Sequence, residues 1–506
     1  MSVARRFTEA LSRDRRLQNL TFCALILIVG VVLTLLSERI PVSRGLGFDG
    51  EEYGNWAMHF DKVLSREIPV SPYRMFRILP SALAYASLRL TGAALIPENV
   101  ICFFQVLNLA LLGVAALSWG GVADAVGLSF RGKLLGFIGL FGNHSILKYN
   151  FYYPVLTDTA AYALALVSLY AYLRDKRVML AVATIAGAFC WPTLIAFGSI
   201  LLLFPRKDHT RERGKGWTRR LPAVLAAGAY LVFALRFYNN TPWYPLSVTL
   251  VAAYIFFGLY FLFEDAFFIH PRNFLRSLSV TRLALFATVI VLFSLGRMLA
   301  TTKAGVNEPH AHFYASTLAM LLAYVEGTCI PLSTRFPAEF AVGHILYFGP
   351  LLLLTACFSR QAARAAGRFG FGFLLLVAVS WLHAIMPLSR QWIAGYPVVA
   401  LATVMALESV PLSRGFFACF VALSLFVSKA WLRFNVEPDP KATGSTFDGA
   451  LAWIPGFSFD NYISSTGRWM SAEWYAVQAA ALLVAFLFYY WYFYAPRVGS
   501  SQARPG

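Results

Sequence analysis

What most narrows the fold of this chain is a succession of long apolar runs, from end to end, with almost no charge inside them. The first, LTFCALILIVGVVLTLL at 20–36, holds no charged residue at all. Such a run matches the thickness of bilayer hydrocarbon, where unsatisfied backbone groups are too costly and only helices or closed barrels cross. The runs are continuous rather than alternating in polarity, which selects helices over barrel strands. Composition agrees: 58% of the 506 residues are hydrophobic and 13% charged, against about 25% charged in a soluble domain. The expected fold is all-α, a polytopic transmembrane helical bundle.

Charge sets the topology. The formal net charge of +18 would suit nucleic acid if it lay on one domain, but the basic residues fall in short clusters between apolar runs and read as orientation signals. No nucleic-acid partner is expected; membrane lipids are. The first run follows Arg5, Arg6, Arg13, Arg15 and Arg16 and no small-residue cleavage site follows it, so it reads as an uncleaved span. With the N-terminus cytoplasmic, the first outer loop is 37–98, and its apolar end, interrupted by Arg89, is an interfacial helix rather than a crossing. Spans follow near 99–119, 133–147 and 157–173, then a short hairpin over 177–206 that turns near Trp191 and Pro192. The cluster RKDHTRERGKGWTRR at 206–220 marks the inner side. Further spans lie near 221–237, 246–263, 283–300, 341–357, 370–386, 393–407, 415–430 and 473–494. The total is about 12–14 spans, with both termini cytoplasmic. Residues 1–506 form a single membrane domain with further outer loops at 301–340 and 431–472. Six scattered cysteines form no disulfide framework or metal motif.

Outer loops hold the residues able to do chemistry. Asp49, Glu51 and Glu52 stand in FDGEEYGNWA soon after the first span. Acids at a membrane face suit a polar cavity, or simply a solvated Asp-Gly turn. Arg74 and Arg77, three apart in YRMFRILP, share a face if that segment is helical. Their guanidinium forks suit an anionic head group, or they snorkel at the interface. Asp158, in PVLTDTAAY, begins a span where a carboxylate either caps the helix with Thr157 or joins Asp49 as base and orienting group. Arg390, in MPLSRQWIAGYP, either grips a lipid phosphate or anchors the span. His310 and His312 beside Glu308 are weak metal candidates, and a divalent metal ion stays open as a cofactor. No GxxxxGK[ST] motif is present, which argues against ATP-driven transport.

A basic N-terminus, one span, a loop carrying FDGEEYGNWA and YRMFRILP, an interfacial helix, and a pair of spans around PVLTD together resemble the GT-C superfamily of membrane glycosyltransferases. The resemblance covers residues 1–210. It implies a sugar donor linked to polyprenyl phosphate, used at the outer face of the cytoplasmic membrane on a glycan, lipid or protein acceptor. Asp49 takes the catalytic position, although the loop has Glu51 and Glu52 in place of an Asp-x-Asp. Inversion at the anomeric centre follows from single displacement. Two other classes stay open: a secondary transporter or flippase, which would carry ionisable residues at span centres and matched halves, and a lipid-linked polysaccharide polymerase or ligase, which relies on a large late outer loop.

Overall fold

A computed structural model describes residues 14–70, 74–206, 220–236, 242–264, 278–300, 330–434, 470 and 472–498. Every regular element among them is a helix. In chain order the principal ones are α1 (Arg15–Leu36), α2 (Phe48–Met58), α3 (Leu79–Thr91), α4 (Pro97–Val126), α5 (Phe130–Phe141), α6 (Asp158–Leu173), α7 (Arg177–Ala188), α8 (Pro192–Leu203) and α9 (Leu221–Arg236). There follow α10 (Tyr244–Phe263), α11 (Val280–Ala300), α12 (Glu339–Phe348), α13 (Leu351–Cys357), α14 (Ser359–Ala366), α15 (Phe371–His383), α16 (Tyr396–Leu407), α17 (Arg414–Ser428) and α18 (Ala472–Val498). Helices α4, α8, α10 and α16 carry proline in their first turn, where the missing N–H leaves no bond unmade.

Five of the described helices are long and apolar enough to cross a membrane: α1, α4, α10, most of α11 and most of α18. Seven shorter apolar helices, α6, α7, α8, α9, α15, α16 and α17, stand among them. The chain is a multi-pass membrane protein. Helix α4 packs against both α1 and α6, and α7 folds back on α8 as a tight hairpin. The turn of that hairpin falls at Phe189–Trp191, where the sequence reading placed it.

Helix ends sort by charge. Lys133 at the start of α5 is buried against Asp124 at the end of α4, with Nζ 2.7 Å from Oδ1. Arg282 at the start of α11 donates to Asp175 after α6 and to carbonyls at the end of α8. Glu264 after α10 pairs with Arg360 of α14. Each of these contacts ties helix ends to one another through a basic and an acidic side chain.

Residues 37–70 and 74–96 carry a second, smaller apolar cluster. Leu46, Tyr53, Trp56, Met75 and Ile78 pack with Phe104 of α4 and with Tyr153 and Val155. Each such burial is worth about 1.5–3 kcal/mol. Helix α3 has 13 residues, Leu79–Thr91, fewer than the roughly 20 that span the hydrocarbon of a bilayer. Where the sequence predicts a span over 133–147, α5 instead ends at Phe141 and the chain runs on as a π-helical turn, Ser145–Tyr149. Turns of that kind recur at functional sites.

Candidate active site

Helix α2 opens on Gly47-Phe-Asp-Gly50. Gly47 takes φ +79°, and a Cβ on Gly50 would stand 2.7 Å from the Val155 carbonyl oxygen. The Gly50 N–H donates to Tyr153 Oη at 3.0 Å. The two glycines thus let the start of α2 lie directly on the segment leading into α6, which brings Asp49 beside Asp158. Asp158 is the first residue of α6, and Thr157 before it makes no side-chain capping bond. The carboxylate does something other than cap: it accepts from Arg390.

Arg390 lies on a 3-10 turn, Ser389–Trp392, between α15 and α16. Its Nε donates to both oxygens of Asp158, at 2.7 and 3.0 Å, while Nη1 donates to Asp49 Oδ2 at 2.7 Å. Arg74 and Arg77 share another 3-10 turn, whose three-residue period puts them on one face. Arg74 Nη1 is 2.9 Å from Glu52 Oε2 and 3.6 Å from Asp49 Oδ1, and Arg77 Nη1 is 3.9 Å from Asp49 Oδ2. Three guanidinium groups therefore face three carboxylates, and the charges balance.

The two aspartates differ in access. The Asp49 side chain is 35% exposed and that of Asp158 only 7%. Burial alone would raise the Asp49 carboxyl, but the charge and hydrogen bond of Arg390, with Arg77 and Arg74, outweigh it and hold the group below the usual carboxylate value. Burial likewise works against the charge on Arg390, yet Asp158, Tyr149 and Asp49 keep it firmly cationic.

Aromatic groups complete the cluster. Tyr53, one helical turn after Asp49, accepts a 3.0 Å hydrogen bond from Arg77 Nη1. Burial pushes the Tyr149 phenol up to about 12 and raises that of Tyr53 as well. The Trp191 ring lies under Arg77 and, farther off, Arg390. His344 fixes the Arg390 turn: its ring nitrogens are 2.9 Å from Ser389 Oγ and 2.7 Å from the Ala384 carbonyl, and it stacks on Trp392.

Of the residues singled out from sequence, Asp49, Glu52, Asp158, Arg74, Arg77 and Arg390 meet at one place. Glu51 does not join them; it points away and accepts from Ser43 Oγ at 2.7 Å. His310 and His312 lie outside the described residues. A divalent ion does not fit between Asp49 and Asp158, because Arg390 already spans the two carboxylates with its own positive charge. No group of three His, Cys, Asp or Glu is placed to hold a metal ion among the described residues. Sequence reasoning missed Tyr53, although its i+4 spacing from Asp49 was available as a signal. It also took Trp191 only for a turn.

No protein-family model and no curated protein matches this chain. Solved structures that resemble it include the oligosaccharyltransferase of Archaeoglobus fulgidus in the apo form, at 13% identity and TM-score 0.45, covering 85% of this chain and 58% of that one. The same enzyme tethered to an acceptor peptide gives 15% identity and TM-score 0.42 over 84% and 54%. In complex with an inhibitory peptide and a dolichol-phosphate it gives 14% and 0.37 over 82% and 54%. The chain spans little more than half the length of these structures, and the likeness is remote.

Proposed function

We propose that this chain is a membrane glycosyltransferase of GT-C type, which takes a sugar from a polyprenyl-phosphate-linked donor and passes it, with inversion, to an acceptor hydroxyl at the outer face of the cytoplasmic membrane. The observation that carries this reading is the Arg390 fork between Asp49 and Asp158. It joins a reachable carboxylate to a set of cations at one end of an apolar bundle, where a lipid head group would lie. The order of motifs in residues 1–210 supports the same class. With both termini cytoplasmic, the end that carries the fork is the outer one. The acceptor is a glycan, a lipid or a protein.

The roles follow from access and charge. Asp158, nearly buried and bonded to Nε, orients Arg390. Asp49, the more exposed, is the base. With no donor bound, three arginines hold Asp49 and make it a weak one. The donor phosphodiester exchanges partners with it: Arg390, Arg77 and Arg74 turn to the phosphate, and Asp49 is released toward the acceptor. Nη2 of Arg390 is buried and has no hydrogen-bond partner, so one donor is available before any exchange. The acceptor oxygen then attacks the anomeric carbon opposite the phosphate and gives its proton to Asp49. The bond from that carbon to the phosphate oxygen breaks, and its electron pair leaves with polyprenyl phosphate. The arginines stabilise the added negative charge.

The test is transfer by the purified chain in lipid, supplied in turn with polyprenyl-phosphate sugars, against Asp49→Asn. Transfer by the parent that falls about 10²–10⁴-fold in the variant is expected. A parent that binds no such lipid, transfers no sugar and instead moves a solute across the bilayer would sink the reading in favour of a transporter.

A further inference from the structure

The anion-binding arginines come from distant parts of the chain. The tip of the α7–α8 hairpin touches both. The Phe189 carbonyl accepts the Leu79 N–H at 3.0 Å, two residues beyond Arg77. Trp191 Nε1–H donates to the Gln391 carbonyl at 3.4 Å, one residue beyond Arg390. Between these two bonds the Trp191 ring, 1% exposed, lies 4.4 Å from Arg77 Cζ and 5.9 Å from Arg390 Cζ. The tip is itself stiff: Trp191 N–H donates to the Gly187 carbonyl at 2.8 Å, and Pro192 starts α8 immediately.

We propose that Trp191 is a positioning residue of the anion site, a strut that holds the Arg77 and Arg390 guanidinium groups at one separation so that both meet the same phosphate. This rests on the function proposed above. Two like charges this close repel, and Asp49 between them screens that repulsion only until a donor takes its place. The π face of Trp191 attracts both cations and stays put throughout the exchange. The hairpin, too short for two full spans, serves to carry this ring to the site.

The test uses the full chain in lipid nanodiscs, with Trp191→Leu, which removes face and N–H together, and Trp191→Phe, which keeps the face. The donor KM is expected to rise about tenfold in the leucine variant and about two- to threefold in the phenylalanine variant. In both, the acceptor KM stays near the parent value. A fall in kcat with the donor KM unchanged, or equal donor KM in both variants, overturns the strut. If the leucine variant does not fold, the folded phenylalanine variant decides: a parent-like donor KM overturns the proposal. Inorganic phosphate alone separates this failure from that of the parent reading. Phosphate binding by the parent that Trp191→Leu weakens supports the strut even without sugar transfer, and equal binding overturns it while leaving transfer intact. A parent that binds neither phosphate nor polyprenyl phosphate removes the anion site and the strut with it.

Discussion

Arg390 and Asp49 stand 341 residues apart in the chain, yet Nη1 of the arginine is 2.7 Å from Oδ2 of the aspartate. The same guanidinium grips Asp158 through Nε, so one side chain sets the distance between two carboxylates that belong to separate helices. Replacing it by alanine strips Asp158 of its ion pair, leaves Asp49 only the more distant Arg74 and Arg77, and removes one of the three arginines proposed to hold the phosphate. Arg390→Ala is expected to lower kcat/KM about 10²–10³-fold. Arg390→Lys recovers little, since an ammonium cannot bond both carboxylates in one plane. Steady-state transfer rates for the two variants, with thermal unfolding as a fold control, check this.

The exchange of partners at Asp49 has a pH signature. In the free protein three arginines hold its carboxyl below the ordinary value; in the mechanism proposed above, a bound donor phosphate draws them off and the carboxyl moves back up. The acid limb of kcat/KM reports the free enzyme and that of kcat the complex. The kcat limb is therefore expected at higher pH than the kcat/KM limb. Coincident limbs would mean that Asp49 keeps its arginines throughout turnover.

The same shift bears on stability, with a definite sign. A carboxyl whose pKa is lower folded than unfolded stabilises fully above its unfolded value, about 3.9 for aspartate, and loses that contribution as pH falls through the lowered folded value. Melting curves of the parent and Asp49→Asn should therefore differ by a constant amount down to about pH 5 and converge below about pH 4. Divergence on acidification would contradict the ion-pair account.

Much of this site was legible in the sequence because its residues are charges placed where charge is costly. Asp49, Asp158, Arg74, Arg77 and Arg390 each adjoin an apolar run, and alternation of the spans put them all on one side. Glu51 was harder to separate from its neighbours. On a helix beginning at Phe48, residues 49, 52 and 53 share a face while 51 turns off it, but that phase is known only once the helix start is fixed by Gly47. Trp191 was hidden for another reason. An aromatic at a hairpin tip reads as part of an interfacial belt, and its contacts reach residues more than a hundred positions away in either direction.

Close approach of α2 to the segment before α6 depends on the missing side chain of Gly50. Gly50→Ala puts a methyl 2.7 Å from a backbone oxygen, which no rotamer can relieve. The variant is expected to lose about 1–3 kcal/mol of stability and, by moving Asp49 away from Arg390, most of its activity. Gly228→Ala, where a Cβ meets nothing within 4 Å, should be neutral or slightly stabilising. Parallel unfolding and transfer measurements on the pair distinguish a close contact from a general intolerance of alanine.

The central claim is that the arginines hold the lipid phosphate while Asp49 takes the proton, and binding of polyprenyl phosphate to the purified parent, Arg390→Ala and Asp49→Asn separates the two roles. The account predicts that Arg390→Ala loses binding by at least about tenfold. It predicts that Asp49→Asn binds as tightly as the parent or more so, its competing carboxylate gone, yet transfers sugar about 10²–10⁴-fold more slowly. Equal binding by parent and Arg390→Ala, or sugar transfer by Asp49→Asn at the parent rate, would contradict it.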